Sequence, residues 1–146
     1  MIVQEIAWAA GLFDGEGCVT ISRSNPARSR SPDHQLRVTL GMCHEATIAK
    51  MKQMFGGSMS MRRSKAKGWR DHWVWCLASY PAANFLGSIY PYLITKKYEA
   101  WLGREFQATR TLFGGGPTHF RAEEEIALRE GFRLALQEAK RGILQL

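Results

Sequence analysis

Apolar residues recur along this chain with two periods, and the switches between them mark out its elements. Ile2, Ile6, Ala9, Ala10 and Phe13 fall three or four apart, which predicts a helix over residues 2–13. Gly15 and Gly17 follow and predict its end and a tight turn. Over residues 18–24 the period drops to two. Val19 and Ile21 alternate with Thr20, Ser22 and Ser24, as in a strand with one buried and one wet face. The prolines, serines and arginines of residues 25–34 read as a loop carrying Arg28 and Arg30.

A second strand is predicted over residues 35–42, with Leu36, Val38, Leu40 and Met42 inward and Gln35, Arg37, Thr39 and Gly41 outward. Helical spacing returns in residues 45–55 through Ile48, Met51, Met54 and Phe55, and the pair Gly56 and Gly57 stops it. Residues 58–64 and 70–78 read as two more strands joined by the basic turn KAKG. With Trp73, Trp75 and Leu77 pointing inward, the outward face of the whole sheet becomes Thr20, Ser22, Ser24, Gln35, Arg37, Thr39, Ser58, Ser60, Arg62, Arg70 and His72. Helices follow over residues 81–92, 95–112 and 120–143, the last with three glutamates early and Lys140 and Arg141 late, the order a helix dipole prefers. The expected fold class is α+β: one α-β-β-α-β-β-α domain over residues 1–146 with a four-stranded antiparallel sheet, residues 113–146 adding a linker and an extra C-terminal helix.

Charge sharpens this picture. The net charge is +7, yet residues 23–70 alone hold eleven Lys or Arg against two acids, a local excess of +9. Basicity confined to one region points to a polyanionic partner, and the polar, cationic sheet face offers groups suited to phosphates and base edges. Three unpaired cysteines without C-x-x-C spacing argue against a disulfide framework or a zinc site. No run of about 18 apolar residues and no basic leader is present, so the expected setting is cytoplasmic or a nucleoid or organelle matrix, not secreted and without a membrane partner.

The most informative stretch is AAGLFDGEG, residues 9–17. Small residues at Ala7, Ala9, Ala10 and Gly11 let a second backbone come close. Asp14 and Glu16 sit where a helix dipole is already negative, a poor place for an acid unless a cation compensates it. A divalent metal would do so.

Those nine residues resemble the motif of the LAGLIDADG homing endonucleases. Gly11, Leu12, Asp14 and Gly17 are identical to the family letters, Ala10 matches the second, and Glu16 is a permitted variant of the second acid. PYLITKKYEA, residues 91–100, resembles the family's later P-Y-L-x-x-K segment, and the order of elements agrees over about residues 2–113. The resemblance implies a homodimer in which motif helices pack through Ala7, Ala9, Ala10, Gly11 and Phe13, each subunit's sheet lying as a saddle in the DNA major groove. An eight-residue strand covers roughly 26 Å, or about eight base pairs. It further implies hydrolysis of phosphodiester bonds in double-stranded DNA at a long, roughly palindromic site, with Mg2+ or another divalent cation such as Mn2+ or Ca2+. Glu16, the Gly15 carbonyl and Asp14 would be metal ligands, while Glu16, Lys96 and His44 would be the catalytic set. One departure is visible: a second basic partner one turn after His44 is Ile48, with Lys50 and Lys52 nearby. Two other functions remain open on the same fold, an RNA-binding maturase acting on intron RNA and a DNA-binding regulator without cleavage.

Overall fold

In the computed structural model, which describes residues 1–24, 32–113 and 122–142, helix α1 (Val3–Glu16) runs directly into strand β1 (Gly17–Arg23). Strand β2 (His34–Met42) returns beside it, and helix α2 (Glu45–Phe55) leads to β3 (Ser58–Arg62) and β4 (His72–Ala78). Helix α3 (Ser79–Ile89), a 3-10 turn at Tyr90–Tyr92, α4 (Lys97–Phe113) and α5 (Glu123–Lys140) complete the described chain. The four strands are antiparallel in the order β1-β2-β4-β3, so the architecture is the expected α+β arrangement.

Several boundaries differ from the sequence expectation. Helix α1 continues through Gly15 to Glu16, and Gly17 is extended at φ −82°, ψ 165°, so no left-handed turn separates helix from strand. What Gly17 supplies is room. A Cβ there would lie 2.2 Å from the Phe13 ring, which makes the glycine a steric requirement of the helix-to-strand junction. The glycine stop expected after α2 does occur, at Gly56 with φ 74° and ψ −154°, a backbone conformation that side-chain-bearing residues rarely adopt. The third and fourth strands are shorter than predicted, leaving Arg70 in the connection between them, and His34 opens β2 instead of closing the preceding loop.

The inward sheet face packs on helices through aromatic edges. Phe85 of α3 meets Phe13, Phe55 and Trp75 at ring-centroid distances of 5.2, 4.7 and 5.0 Å, all edge-on, the geometry that aligns positive ring edges with negative faces. The Trp75 indole N–H donates to the Gly56 carbonyl at 2.7 Å, tying the end of α2 to β4. Helix α5 packs along β1 and α4, burying Leu136 and setting Phe132 edge-on to Phe106.

Ion pairs complete this junction. Arg129 and Glu125 of α5, both nearly fully buried, pair at 2.6 Å. Arg110 donates to Asp33 Oδ1 at 3.1 Å and to the His34 carbonyl at 2.5 Å. The buried His34 ring bonds Glu130 at 2.7 Å. Arg133, hydrogen-bonded to Glu130, and then His34 hold the Glu130 carboxyl down at about 2 against the opposing effect of burial. Among the described residues no helix is long and apolar enough to cross a membrane.

Candidate nucleic-acid interface and metal site

Strand register fixes which side chains share a face, because residues directly paired across antiparallel strands point the same way. Thr20 pairs with Arg37, Cys18 with Thr39, and Ser22 with Gln35. Across β4 and β3 the same face continues as Ala78, Cys76, Val74 and His72, then Ser58, Ser60 and Arg62. Thr20, Ser22, Gln35, Arg37, Thr39, Ser58, Ser60, Arg62 and His72 therefore occupy one surface, as expected. Ser24 extends it, but its hydroxyl accepts the Asp33 N–H at 2.8 Å and closes the strand pair. Arg70 does not belong to the strand face: it lies outside β4, exposed in the connection with Arg63, Lys65 and Lys67. Arg28 and Arg30 fall outside the described residues.

At the foot of α1 the two motif acids have different fates. Both oxygens of Asp14 are occupied, accepting the backbone N–H of Ile94 at 2.7 Å and of Lys96 at 2.9 Å. Lys96 also donates from Nζ to the Asp14 carbonyl at 2.6 Å. This clasp fastens the start of α4 to the end of α1 and sets an ammonium at the negative end of the helix. The expectation that Asp14 binds metal is corrected accordingly: its charge is satisfied by backbone donors. Glu16 is exposed and makes no hydrogen bond or ion pair among the described residues. Lys96 stands beside the same turn.

His44 precedes α2, exposed, with Nδ1 bonded to Thr47 Oγ1 at 2.7 Å. The β1–β2 register, extended from Gly17 opposite Leu40, carries it beyond the same end of the sheet as Glu16. Ile48 is fully buried and is core, and Lys50 is turned toward Glu5 at 3.9 Å and the Trp8 ring at 5.4 Å.

The exposed side of α1 corrects the expected subunit contact. Ala9, Ala10 and Phe13 are 0% exposed and belong to the chain's own core, so they do not form a subunit face. Ala7, Gly11 and Gly15 recur every four residues on the other side, and a Cβ added at either glycine meets nothing within 4 Å. Exposed Trp8 flanks this smooth strip. The helical period pointed to both sides of α1 at once, because alanine suits a core and a close helix contact equally.

Sequence reading also missed a reach across the fold. Cys18 is half-buried on the outward face and accepts a hydrogen bond from Lys140 Nζ at 3.3 Å. Its alternation with Thr20 was the available signal; for Lys140, more than a hundred residues away, there was none.

Glu16 and the carbonyls of the last helical turn, which lack intrahelical partners, form an oxygen-only donor set. Such a set fits a hard divalent cation that also takes phosphate oxygens and water. Among the described residues no three His, Cys, Asp or Glu side chains gather around a metal position.

No protein-family model matches the sequence, and no curated protein matches it. Solved structures do. The archaeal intron-encoded homing endonuclease I-Vdi141I, complexed with DNA, is similar with a TM-score of 0.71 at 14% identity, over 92% of this chain and 83% of that one. The homing endonuclease I-CvuI with its target in the presence of 2 mM Ca is similar with a TM-score of 0.62 at 16% identity, over 88% of this chain and 94% of that one. The LAGLIDADG homing endonuclease I-GzeII with its DNA target is similar with a TM-score of 0.66 at 14% identity, over 92% of this chain and 44% of that one. The chain thus has the fold of the LAGLIDADG homing endonucleases.

Proposed function

We propose that this chain is a sequence-specific endonuclease that hydrolyses phosphodiester bonds of double-stranded DNA at a long, roughly palindromic site, as a homodimer and with a divalent cation. The observation that carries this reading is Glu16. An exposed carboxylate with no partner among the described residues, two residues beyond the Asp14 that Lys96 clasps and at the end of a polar and cationic sheet face, is a charge arrangement that calls for a ligand outside the chain. The structural neighbours solved with DNA, and with Ca in the case of I-CvuI, support the same direction.

Two copies related through the Ala7, Gly11 and Gly15 strip would bring their Glu16 carboxylates together. That this chain spans under half of I-GzeII accords with two copies making one site. Glu16 and the Gly15 carbonyl of each copy would hold the cation, Mg2+ or another such as Mn2+ or Ca2+. When bound, it supplies an acidified water and stabilises the attacking and leaving oxygens. Lys96 offers an ammonium to the phosphate from the clasp with Asp14, and His44 lies at the same end of the sheet to order water. The outward residues from Thr20 to His72 contact base edges, while Arg63, Lys65, Lys67 and Arg70 meet phosphates.

Selection of cleaved ends from a randomised duplex library with Mg2+ tests this reading. It should return paired half-sites; retention of structured RNA with no cleaved duplex would favour a maturase instead. The subunit contact has its own test. Gly11→Leu should leave the monomer fold unchanged, since its Cβ meets nothing within 4 Å, and should shift the sedimentation coefficient from dimer to monomer. An unchanged dimer would remove this strip from the interface.

A further inference from the structure

Arg37 stands at the middle of the outward face, between the short side chains of Thr20 on β1 and Ala78 on β4. Its guanidinium is not loose. Nε donates to Gln35 Oε1 at 3.1 Å, which fixes the Gln35 amide so that Nε2 points the other way and donates to Ser79 Oγ at 3.4 Å. Ser79, first residue of α3, is the one described non-glycine residue at positive φ, 58°. A side-chain-bearing residue in the left-handed region costs stability and persists where its surroundings demand it. Among the described residues the bond its hydroxyl makes is to Gln35, and through Gln35 it leads to Arg37.

We propose that Ser79, Gln35 and Arg37 form a base-reading relay, in which Arg37 reads a guanine on the major-groove edge. The reading rests on duplex DNA lying against this face. With Nε held by Gln35, the two terminal nitrogens remain as a planar fork, the arrangement that matches guanine O6 and N7. Ser79 and Gln35 are positioning residues: they set the plane of the fork and limit its other rotamers. Beside Arg37 an open hollow, lined by Ser58, Cys76 and Ala78 of the outward face and reaching to Phe55, Leu77 and Pro81 at the end of the sheet, leaves the fork unobstructed on that side. Thr20, opposite Arg37, lies four residues beyond Glu16. That is about 13 Å along β1, so the guanine falls about four base pairs from the cleaved phosphate, once in each half-site.

The test is selection of bound sequences from a randomised duplex library with Ca2+, comparing the natural chain with Arg37→Ala, Gln35→Met and Ser79→Gly. The natural chain should prefer guanine at one position per half-site by roughly tenfold or more, and Arg37→Ala should erase that preference. Ser79→Gly accepts the backbone conformation without strain, so its melting temperature should hold or rise while the preference falls several-fold, as it should for Gln35→Met. A Ser79→Gly chain that keeps its full guanine preference overturns the relay, as does a recovered site without guanine there. If the natural chain recovers no sequence at all, the DNA reading itself fails and the relay falls with it.

Discussion

Two sets of charges in this molecule were built from the same residue types and ended in opposite states. Where α5 meets the start of β2, Glu125, Arg129, Asp33, Arg110, His34, Glu130 and Arg133 are paired with one another. At the foot of α1 and on the outward sheet face, Glu16, Arg62 and His72 have no partner among the described residues. Paired charges hold the chain to itself; unpaired ones at a shared surface are available to something else. Asp14 and Glu16 repeat the contrast within three residues, one carboxylate spent on backbone N–H groups and the other open.

This contrast is breakable in both directions. The largest effect should come from Glu16→Gln, which is expected to lower Mg2+-dependent nicking by roughly a thousandfold or more. Its unfolding free energy should stay within about 0.5 kcal/mol, because no internal contact is lost. Cleavage by this variant at the natural rate would end the metal assignment. In the paired set the signs reverse: Arg129→Ala leaves Glu125 buried without its guanidinium and should cost roughly 3–5 kcal/mol by denaturant titration, with the recovered DNA sequence unchanged.

Glu130 sharpens the comparison through pH. Its folded-state pKa of about 2 lies below the ordinary carboxyl value of 4.5. The stability it contributes is therefore full above about pH 4.5 and is lost as pH falls toward 2. Glu130→Gln should cost about 1–2 kcal/mol at neutral pH and flatten that acid limb, read as denaturation midpoint against pH. The smallest effect belongs to Arg62→Ala on the open face. It should leave stability alone and reduce the slope of log affinity against log salt by about one, if Arg62 meets a phosphate.

How much of this was legible in the sequence follows from what each pattern encodes. The outward face was readable because a two-residue period leaves little freedom: once Trp75 is inside, Val74 and Cys76 are outside. Strand ends were less readable, and Arg70 was placed on a strand it does not reach, since alternation continues for a few residues after pairing stops. Gly15 and Gly17 predict a turn because glycine permits one, whereas the structure uses Gly17 for its missing Cβ against Phe13. The charges at the two ends of α5 read as a favourable dipole order and nothing more. Nothing local distinguishes Glu125 and Arg129 from an exposed i,i+4 pair; only the arrival of β2 and α4 buries them. The metal expectation rested on an uncompensated acid at a helix end, and of the two acids Glu16 is the one left without a partner among the described residues.

The placement of α5 along β1 has a bearing on colloidal behaviour. β1 is an edge of the sheet, and an edge strand offers unpaired backbone groups to any other strand that arrives. Helix α5 packs along this strand, latched there by the pairs of Glu130 with Arg23 and His34, and a helix beside an edge strand is one way a protein keeps other strands off it. Loosening the latch, by acid or by substitution at Arg129, would therefore do more than lower a melting point: it would expose a template for β-aggregation while the rest of the sheet was still formed.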